Sequence, residues 1–169
     1  MIRVVVDDLA SLPADAIVRP ATTRLDPTAA ALRRLEIVGG AEFHDRLRLT
    51  RELGIGAAVV TAGGGDLPAA FVIHAVIRSE TEPVTRDHVG RAWLAALHQA
   101  REWEFAHVSA PPIGTGAGNL TIEDAAEIMV TALQAHQGAA AFPKDVTLVV
   151  ERPEDQEVFE AALRGGAGA

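Results

Sequence analysis

The segment best suited to chemistry is a glycine-rich loop that reads Pro-Ile-Gly-Thr-Gly-Ala-Gly-Asn at positions 112–119. It follows a short apolar strand at 108–110 and precedes a helix that begins at Thr121. Glycines let backbone amides approach an anion closely, and a helix N-terminus adds further amides and the positive end of a dipole. This arrangement favours a phosphate-binding site. The alternative is a connection in which the glycines serve turn geometry alone.

The loop differs from the two best-known nucleotide-binding motifs. No Gly-Lys-Ser/Thr follows it, so it is not a P-loop. The spacing of Gly114, Gly116 and Gly118 departs from the dinucleotide fingerprint, which normally follows the first strand of the chain. Phosphate binding here would therefore depend on backbone amides, because the loop contains no lysine.

The composition of the 169-residue chain excludes several other chemistries. Cys is absent, which rules out disulfides, thiol nucleophiles, iron–sulfur clusters and zinc ribbons. Lys144 is the single lysine among 15 basic residues, and it has no visible partner for a nucleophilic role. The net charge of −8 argues against a nucleic-acid backbone as partner. Aromatic residues make up 4% of the chain, so few rings are available to stack on a base.

The histidines and paired carboxylates do not form a recognisable reactive group. Asp7 and Asp8 are neighbours on a strand, so their side chains point to opposite faces and are poor acid–base partners. His98 and His107 lack metal-ligand spacing. His74 lies in an apolar strand and is interpreted as a core histidine with a hydrogen-bond partner. We therefore predict no catalytic residue, no metal and no cofactor.

The elements that must position the loop alternate between strand-like and helix-like patterns. Apolar strands are predicted at 2–6, 16–18, 57–61, 71–77, 108–110 and 146–150. Helices are predicted at 26–37, 42–53, 85–103, 121–137 and 154–163. This alternation is typical of a three-layer α/β/α fold with a mostly parallel central sheet, in which ligands bind at the carboxyl ends of the strands. We expect one domain over 1–164 and a flexible tail over 165–169.

Some helix ends are predicted from particular residues. Asp26 and Pro27 suit the N-cap and first turn of a helix, and Gly39-Gly40 would stop it. Thr121 and Asp124 resemble a capping box at the start of the helix after the loop. The sequence contains no run of 18 apolar residues, so we predict no membrane span. The N-terminus lacks a signal-peptide layout, and we therefore expect a cytoplasmic location.

Several segments together resemble the macrodomain family of ADP-ribose-binding modules. Residues 15–22, Asp-Ala-Ile-Val-Arg-Pro-Ala-Thr, resemble the family's Asp-Ala-Ile-Val-Asn-Ala-Ala-Asn. Residues 56–61 and 67–69 are similar to the family's glycine-loop-strand region. Residues 71–74, Phe-Val-Ile-His, are similar to its Tyr-Val-Ile-His strand. Residues 112–116 resemble its second phosphate loop. The resemblance implies a mixed sheet and a stand-alone domain of the type found in bacteria.

The resemblance also implies a ligand site. Asp8 would contact the adenine amino group, with the Leu9 backbone beside it, and the loop backbone would hold the diphosphate. The ligand-binding residues predicted in this way are Asp8, Leu9, Ala21, Thr22, Ile113, Gly114, Thr115, Gly116, Ala117, Gly118 and Val150.

This sequence departs from the family pattern at several of these positions. Thr22 stands where the family's hydrolases have the Asn that holds the distal ribose, and Arg19 replaces the first Asn of that motif. The first glycine loop is replaced by Asp-Pro-Thr-Ala-Ala-Ala at 26–31, which makes close backbone approach to a ligand harder. Gly118 and Val150, or Glu151 in a shifted register, stand where family members often have rings.

Three functions remain open at this point. The first is a divergent binding module for ADP-ribose or a related nucleotide diphosphate. The second is a degenerate macrodomain that acts through protein contacts, which a cleft closed by 26–31 would favour. The third is an ADP-ribosyl or O-acetyl-ADP-ribose hydrolase, which Thr22 and the missing first glycine loop disfavour. The missing rings predict weaker ADP-ribose binding than in members that retain them. The sequence leaves the oligomeric state undetermined.

Overall fold

The computed structural model describes residues 1–29, 32–49, 52–116 and 119–166. The centre of the described structure is a six-stranded sheet. Its strands are β1 (Ile2–Val6), β2 (Ala14–Thr22), β3 (Ala58–Ala62), β4 (Ala69–Arg78), β5 (His107–Ala110) and β6 (Asp145–Val150). They lie in the order β1-β6-β5-β2-β4-β3. Only β3 runs antiparallel to its neighbour; the other paired strands are parallel. The predicted mixed, mostly parallel sheet is confirmed.

Helices cover both faces of this sheet and complete the three layers. They are α1 (Arg33–Leu49), α2 (Arg86–Glu102), α3 (Ile122–Ala139) and α4 (Pro153–Gly166), and a short 3-10 turn spans Leu9–Ser11. None of the helices in the described ranges is long and apolar enough to cross a membrane. Helix α4 ends two residues beyond the expected domain limit at 164, and residues 167–169 of the expected tail lie outside the described residues.

The alternation of side chains along the central strands builds two cores. In β2, Ala16 and Val18 join the larger core, which also contains residues of α2, α3 and α4. Ile17, between them, faces the opposite side and packs with Leu32 and Leu35 at the start of α1. Both faces of β2 are therefore buried, and this strand lies between the two cores.

The first predicted helix starts later than expected. Pro27 forms an isolated bridge with Ala21, and α1 begins only at Arg33. The Asp26 amide donates to Thr22 Oγ1 at 3.2 Å, and the Thr22 amide donates to the Asp26 carbonyl at 3.0 Å. Asp26 is therefore part of a turn that ends β2, and the prediction that it caps a helix is wrong.

The glycine pair at 39–40 ends one helical segment, as predicted. Gly40 has φ +64° and ψ −154°, which is outside helical geometry, and a second helical segment follows it. The span α1 therefore consists of two helical segments that meet at a kink at Gly40. The predicted cap at Thr121 is confirmed, because its hydroxyl accepts a hydrogen bond from the Asp124 amide at 3.1 Å.

Candidate functional site: a cleft at the carboxyl edge of the sheet

An open cleft of about 1020 Å³ lies where β1, β5 and β6 end. Its described walls come from the segments after these strands, from residues 28–29 and from the start of α1. Leu120 and Ile122 line it as well, so the N-terminus of α3 borders the cleft. Carboxyl ends of parallel strands and helix N-termini are the usual surroundings of a phosphorylated ligand in an α/β fold.

The glycine-rich loop supplies one wall of the cleft. Thr115 and Gly116 line it, whereas Ile113 is fully buried and its amide donates to the Met129 sulfur at 3.3 Å. Gly114 has φ +91°, and a Cβ atom at that position would lie 2.7 Å from Val89 Cγ2. Gly114 and Ile113 therefore anchor the loop in the core, and Thr115 and Gly116 present it to the cleft. Residues 117 and 118 of the predicted site lie outside the described residues.

Two loops approach each other closely at Gly116. This residue has φ +77°, a conformation that L side chains rarely adopt. A Cβ atom built on Gly116 would lie 3.2 Å from Cβ of Ala29. Thr28 and Ala29, in the segment between β2 and α1, line the cleft. The passage between these walls is therefore narrow, and any side chain at Gly116 would reduce it further.

Asp8 lines the cleft just after β1, and its carboxylate is oriented by two hydrogen bonds. Its Oδ1 accepts a hydrogen bond from the Ala10 amide at 3.1 Å, which caps the 3-10 turn. Its Oδ2 accepts one from Arg34 Nε at 2.6 Å. Leu9 lines the cleft beside it. Each carboxylate oxygen has a second lone pair, so Asp8 retains the capacity to accept from a ligand.

The predicted site residues at the end of β2 do not line the cleft. Ala21 is fully buried, and Thr22 Oγ1 accepts from the amides of Arg24 and Asp26 at 3.3 and 3.2 Å. The hydroxyl of Thr22 is thus used to close the turn after β2. Pro20 is the one residue of the β2 motif that lines the cleft in the described part of the chain.

Arg19, in β2, lies in a buried polar cluster. It is fully buried and donates through Nε to His74 Nδ1 at 2.8 Å and through Nη1 to Glu36 Oε1 at 3.2 Å. Its Nη2 donates to the carbonyl of Leu25. His74 Nε2 lies 2.8 Å from Thr61 Oγ1, so the predicted core histidine with a partner is confirmed. This cluster ties β2 to β4, to α1 and to the turn at 22–26.

Burial controls the protonation of this cluster. Desolvation lowers the pKa of Arg19 to about 10, against the opposing charge and hydrogen bond of Glu36. Burial, and then the charge of Arg19, hold the pKa of His74 well below its ordinary 6.5. Near neutral pH His74 is therefore a neutral acceptor and Arg19 a cation. The cluster has a structural role, because neither residue lines the cleft.

At the end of β6 the cleft is lined by Glu151, the predicted alternative in a shifted register, and not by Val150. Val150 is buried, whereas Glu151 and Arg152 line the cleft. Arg152 Nε and Nη2 lie 3.4 and 3.3 Å from the two carboxylate oxygens of Asp155. Sequence reasoning missed Arg152 and Arg34. A signal for Arg152 does exist in the sequence, because this residue lies between the predicted last strand at 146–150 and the start of α4 at Pro153.

The described residues contain no group of three or more His, Cys, Asp or Glu side chains arranged to hold a metal ion. Both arginines that line the cleft are paired with carboxylates, Arg34 with Asp8 and Arg152 with Asp155. A phosphate group in this cleft would therefore be bound mainly by backbone amides and the α3 N-terminus.

The Macro domain family model matches residues 18–129 of this chain. A relative from Mycobacterium tuberculosis is 30% identical over 159 residues, which are 94% of this chain. The chain spans only 44% of the length of that relative. A macro domain-containing protein of Cupriavidus necator is 30% identical over 173 residues, and the match covers 96% of both chains.

Solved structures show the same architecture. A macrodomain of Oceanobacillus iheyensis with ADP has a TM-score of 0.85 and 22% identity, covering 98% of this chain and 90% of its own. A Trypanosoma brucei macrodomain in complex with ADP-ribose also has a TM-score of 0.85, with 18% identity, and the match covers 96% of this chain and 68% of its own. The expected three-layer fold is thus confirmed by comparison as well as by topology.

Proposed function

This chain belongs to the macro domain family, and we propose that it is a binding module for ADP-ribose or a related nucleotide diphosphate. The observation that carries the proposal is the open cleft of about 1020 Å³ beside Gly116. Its volume is at the upper end of the range for clefts that bind drug-sized ligands. Macrodomains with ADP and with ADP-ribose share the fold.

The diphosphate would lie against residues 115–116 and the start of α3. Because φ is +77° at Gly116, the backbone there turns in a way that glycine alone adopts without strain. Backbone amides and a helix N-terminus stabilise an anion without a lysine. This explains how an acidic chain with one lysine can bind a diphosphate. The acidity argues against extended nucleic-acid backbones only.

The open cleft also argues for a binding module over a degenerate macrodomain. A cleft closed by 26–31 would favour the degenerate alternative, but Thr28 and Ala29 line a cleft that retains a volume of about 1020 Å³. Asp26 is not among the described residues that line the cleft, and its backbone carbonyl accepts a hydrogen bond from the Thr22 amide in the turn after β2. Residues 30–31 lie outside the described part of the chain.

We propose binding without efficient turnover. Thr22 occupies the position of the hydrolases' Asn, and its hydroxyl already accepts hydrogen bonds from two backbone amides. A hydroxyl lacks the paired donor and acceptor of an amide side chain. A hydrolase assay on a mono-ADP-ribosylated protein should therefore give turnover at background level. Turnover well above background would contradict this part of the proposal.

Isothermal titration calorimetry with ADP-ribose tests the binding proposal. The wild-type protein should give a saturable heat, and Gly116→Glu should abolish it by filling the passage with a charged side chain. Gly138→Glu is the matched control, since Gly138 lies on the exposed end of α3 and a Cβ there meets nothing within 4 Å. No heat from the wild type at ligand concentrations approaching the millimolar range would refute the proposal. Equal affinity of Gly116→Glu would show that the wrong loop was assigned.

A further inference from the structure

One wall of the cleft is formed by the chain that leads from the end of β2 into α1. We call its described stretches, 25–29 and 32–36, the α1 wall. The residues of the α1 wall that line the cleft are Thr28, Ala29, Leu32, Arg34 and Leu35. A Cβ atom built on Gly116 would lie 3.2 Å from Cβ of Ala29. The position of the α1 wall therefore sets the width of the passage beside the glycine-rich loop.

Arg19 contacts both stretches of the α1 wall. Its Nη2 donates a hydrogen bond to the carbonyl of Leu25 in the first stretch, and its Nη1 donates to Glu36 Oε1 at 3.2 Å in the second. Its Nε donates to His74 Nδ1 at 2.8 Å, which fixes the guanidinium to β4. Neither Arg19 nor Glu36 is among the described residues that line the cleft. One planar group thus joins both ends of the α1 wall to the sheet.

The contact with Leu25 lies at a strained point of the backbone. Leu25 has φ +65°, a conformation that L side chains rarely adopt. Its side chain is buried with Ala21 and Val76, and its amide donates to the Thr22 carbonyl at 2.8 Å. A bulky residue keeps such a conformation only where its surroundings enforce it. The hydrogen bond from Arg19 to the Leu25 carbonyl is one of the contacts that do so.

The burial of Arg19 points to a role in specifying a conformation. The Arg19 side chain is fully buried, and that of Glu36 is 18% exposed. Desolvation opposes the charged form of the guanidinium and lowers its pKa to about 10. A buried ion pair often contributes no more stability than apolar residues of the same volume, and its best-attested use is to select one conformation. The partners of Arg19 indicate which conformation is selected, because they lie at the two ends of the α1 wall.

We propose that Arg19 is a positioning residue for the nucleotide, which holds the α1 wall at the distance from Gly116 that the diphosphate requires. This inference rests on the proposed function and deepens it, since it assigns a role in binding to a residue that the ligand does not touch. Without the contacts of Arg19, the α1 wall occupies the binding-competent position in only a fraction of the molecules. The apparent affinity then falls in proportion to that fraction.

Calorimetric titration of ADP-ribose into variants of Glu36 and Arg19 tests the proposal. Glu36→Leu removes an acceptor of the guanidinium and should weaken binding about tenfold, which corresponds to a competent wall in about one molecule in ten. Glu36→Gln retains an oxygen acceptor at the same place and should stay within about threefold of the wild type. Arg19→Lys keeps the charge but lacks the planar fork that reaches three acceptors, so it should also weaken binding about tenfold.

Leu97→Ala is the matched control for general destabilisation. Leu97 is buried in α2 and is not among the described residues that line the cleft. Its truncation leaves a cavity in the larger core and lowers stability. The affinity of Leu97→Ala for ADP-ribose should nevertheless equal that of the wild type. Thermal unfolding of each variant confirms that it is folded at the temperature of the titration.

Hydrogen exchange of the unliganded variants gives a readout that general destabilisation does not reproduce. The amides of Leu25 and Leu32 donate hydrogen bonds to backbone carbonyls three residues earlier. In Arg19→Lys these two amides should exchange at least tenfold faster than in the wild type, while the Ala125 amide in α3 keeps its wild-type rate. Saturating ADP-ribose should slow both amides again, because the ligand selects the ordered wall. This comparison also decides the matter if Glu36→Leu does not fold.

The outcomes separate the positioning role from the proposed function. If the wild type gives no heat with ADP-ribose, the proposed function fails and the positioning role fails with it. If the wild type binds but Arg19→Lys binds equally well, the positioning role alone is overturned. It is also overturned if Leu97→Ala loses as much affinity as Arg19→Lys, or if Glu36→Gln loses as much as Glu36→Leu. The first result would trace the loss to stability, and the second would show that the hydrogen bond to Arg19 is not its cause.

Discussion

The substitution Gly116→Ala tests the geometry of the narrow passage with a single methyl group. Gly116 has φ +77°, and an L residue in this region costs about 1–2 kcal/mol. For a domain of this size, that loss lowers the melting temperature by roughly 2–8 °C. The added Cβ would also lie 3.2 Å from Cβ of Ala29, so the two walls must separate by a few tenths of an ångström or the passage narrows.

These two effects predict different observables. Backbone strain lowers the stability of the protein with or without ligand. The contact with Ala29 lowers the affinity for the ligand, because it narrows the passage that the diphosphate must enter. We expect Gly116→Ala to lower the affinity for ADP-ribose at least tenfold, which corresponds to about 1.4 kcal/mol of binding free energy. Calorimetry measures the affinity, and thermal unfolding measures the stability.

A second substitution separates the two effects. The double variant Ala29→Gly/Gly116→Ala removes the contact between the walls but keeps the strained φ angle. Its affinity should recover toward the wild-type value, while its melting temperature stays low. The reasoning is refuted if Gly116→Ala binds ADP-ribose as tightly as the wild type, or if Ala29→Gly restores stability but not affinity.

The buried cluster around Arg19 predicts two further results. Arg19→Met should lower the free energy of unfolding by about 3–5 kcal/mol, because it leaves Glu36 and His74 without their buried partner; a loss below about 1 kcal/mol in urea unfolding would contradict this. Because burial holds the pKa of His74 well below 6.5, the unfolded chain binds a proton below pH 6.5 that the folded chain does not. Stability should therefore fall on acidification below that pH, by up to about 1.4 kcal/mol per pH unit from this residue. His74→Gln should show a shallower pH dependence in the same unfolding measurement, and identical slopes would contradict the assignment.

Much of the fold could be predicted because the strands of this chain are nearly continuous apolar runs. Burial on both faces demands such runs, and they alternate with helices whose apolar positions recur at helical spacing. The start of α1 could not be predicted in this way. Asp26 and Pro27 are good helix-starting residues locally, but the hydrogen bonds between Thr22 and Asp26 and the bridge from Ala21 to Pro27 are tertiary features that override that preference.

The candidate site was predictable to a smaller extent. Gly116 and Asp8 could be located because a loop and a strand end are local sequence features, and both line the cleft. The partnership of Asp8 with Arg34 joins residues 26 positions apart and depends on how α1 packs. Val150 is buried, whereas its neighbour Glu151 lines the cleft. Which of the two residues lines the cleft depends on the register of β6 and on where this strand ends. A one-residue change of register exchanges the faces of a strand, so sequence patterns decide such positions poorly.

The most direct test of the central claim is the crystal structure of this protein soaked with ADP-ribose. We predict density for the ligand in the cleft, with the diphosphate against residues 115–116 and the start of α3 and with the base beside Asp8. A cleft without ligand at a saturating concentration, or a ligand bound elsewhere on the molecule, would contradict the account.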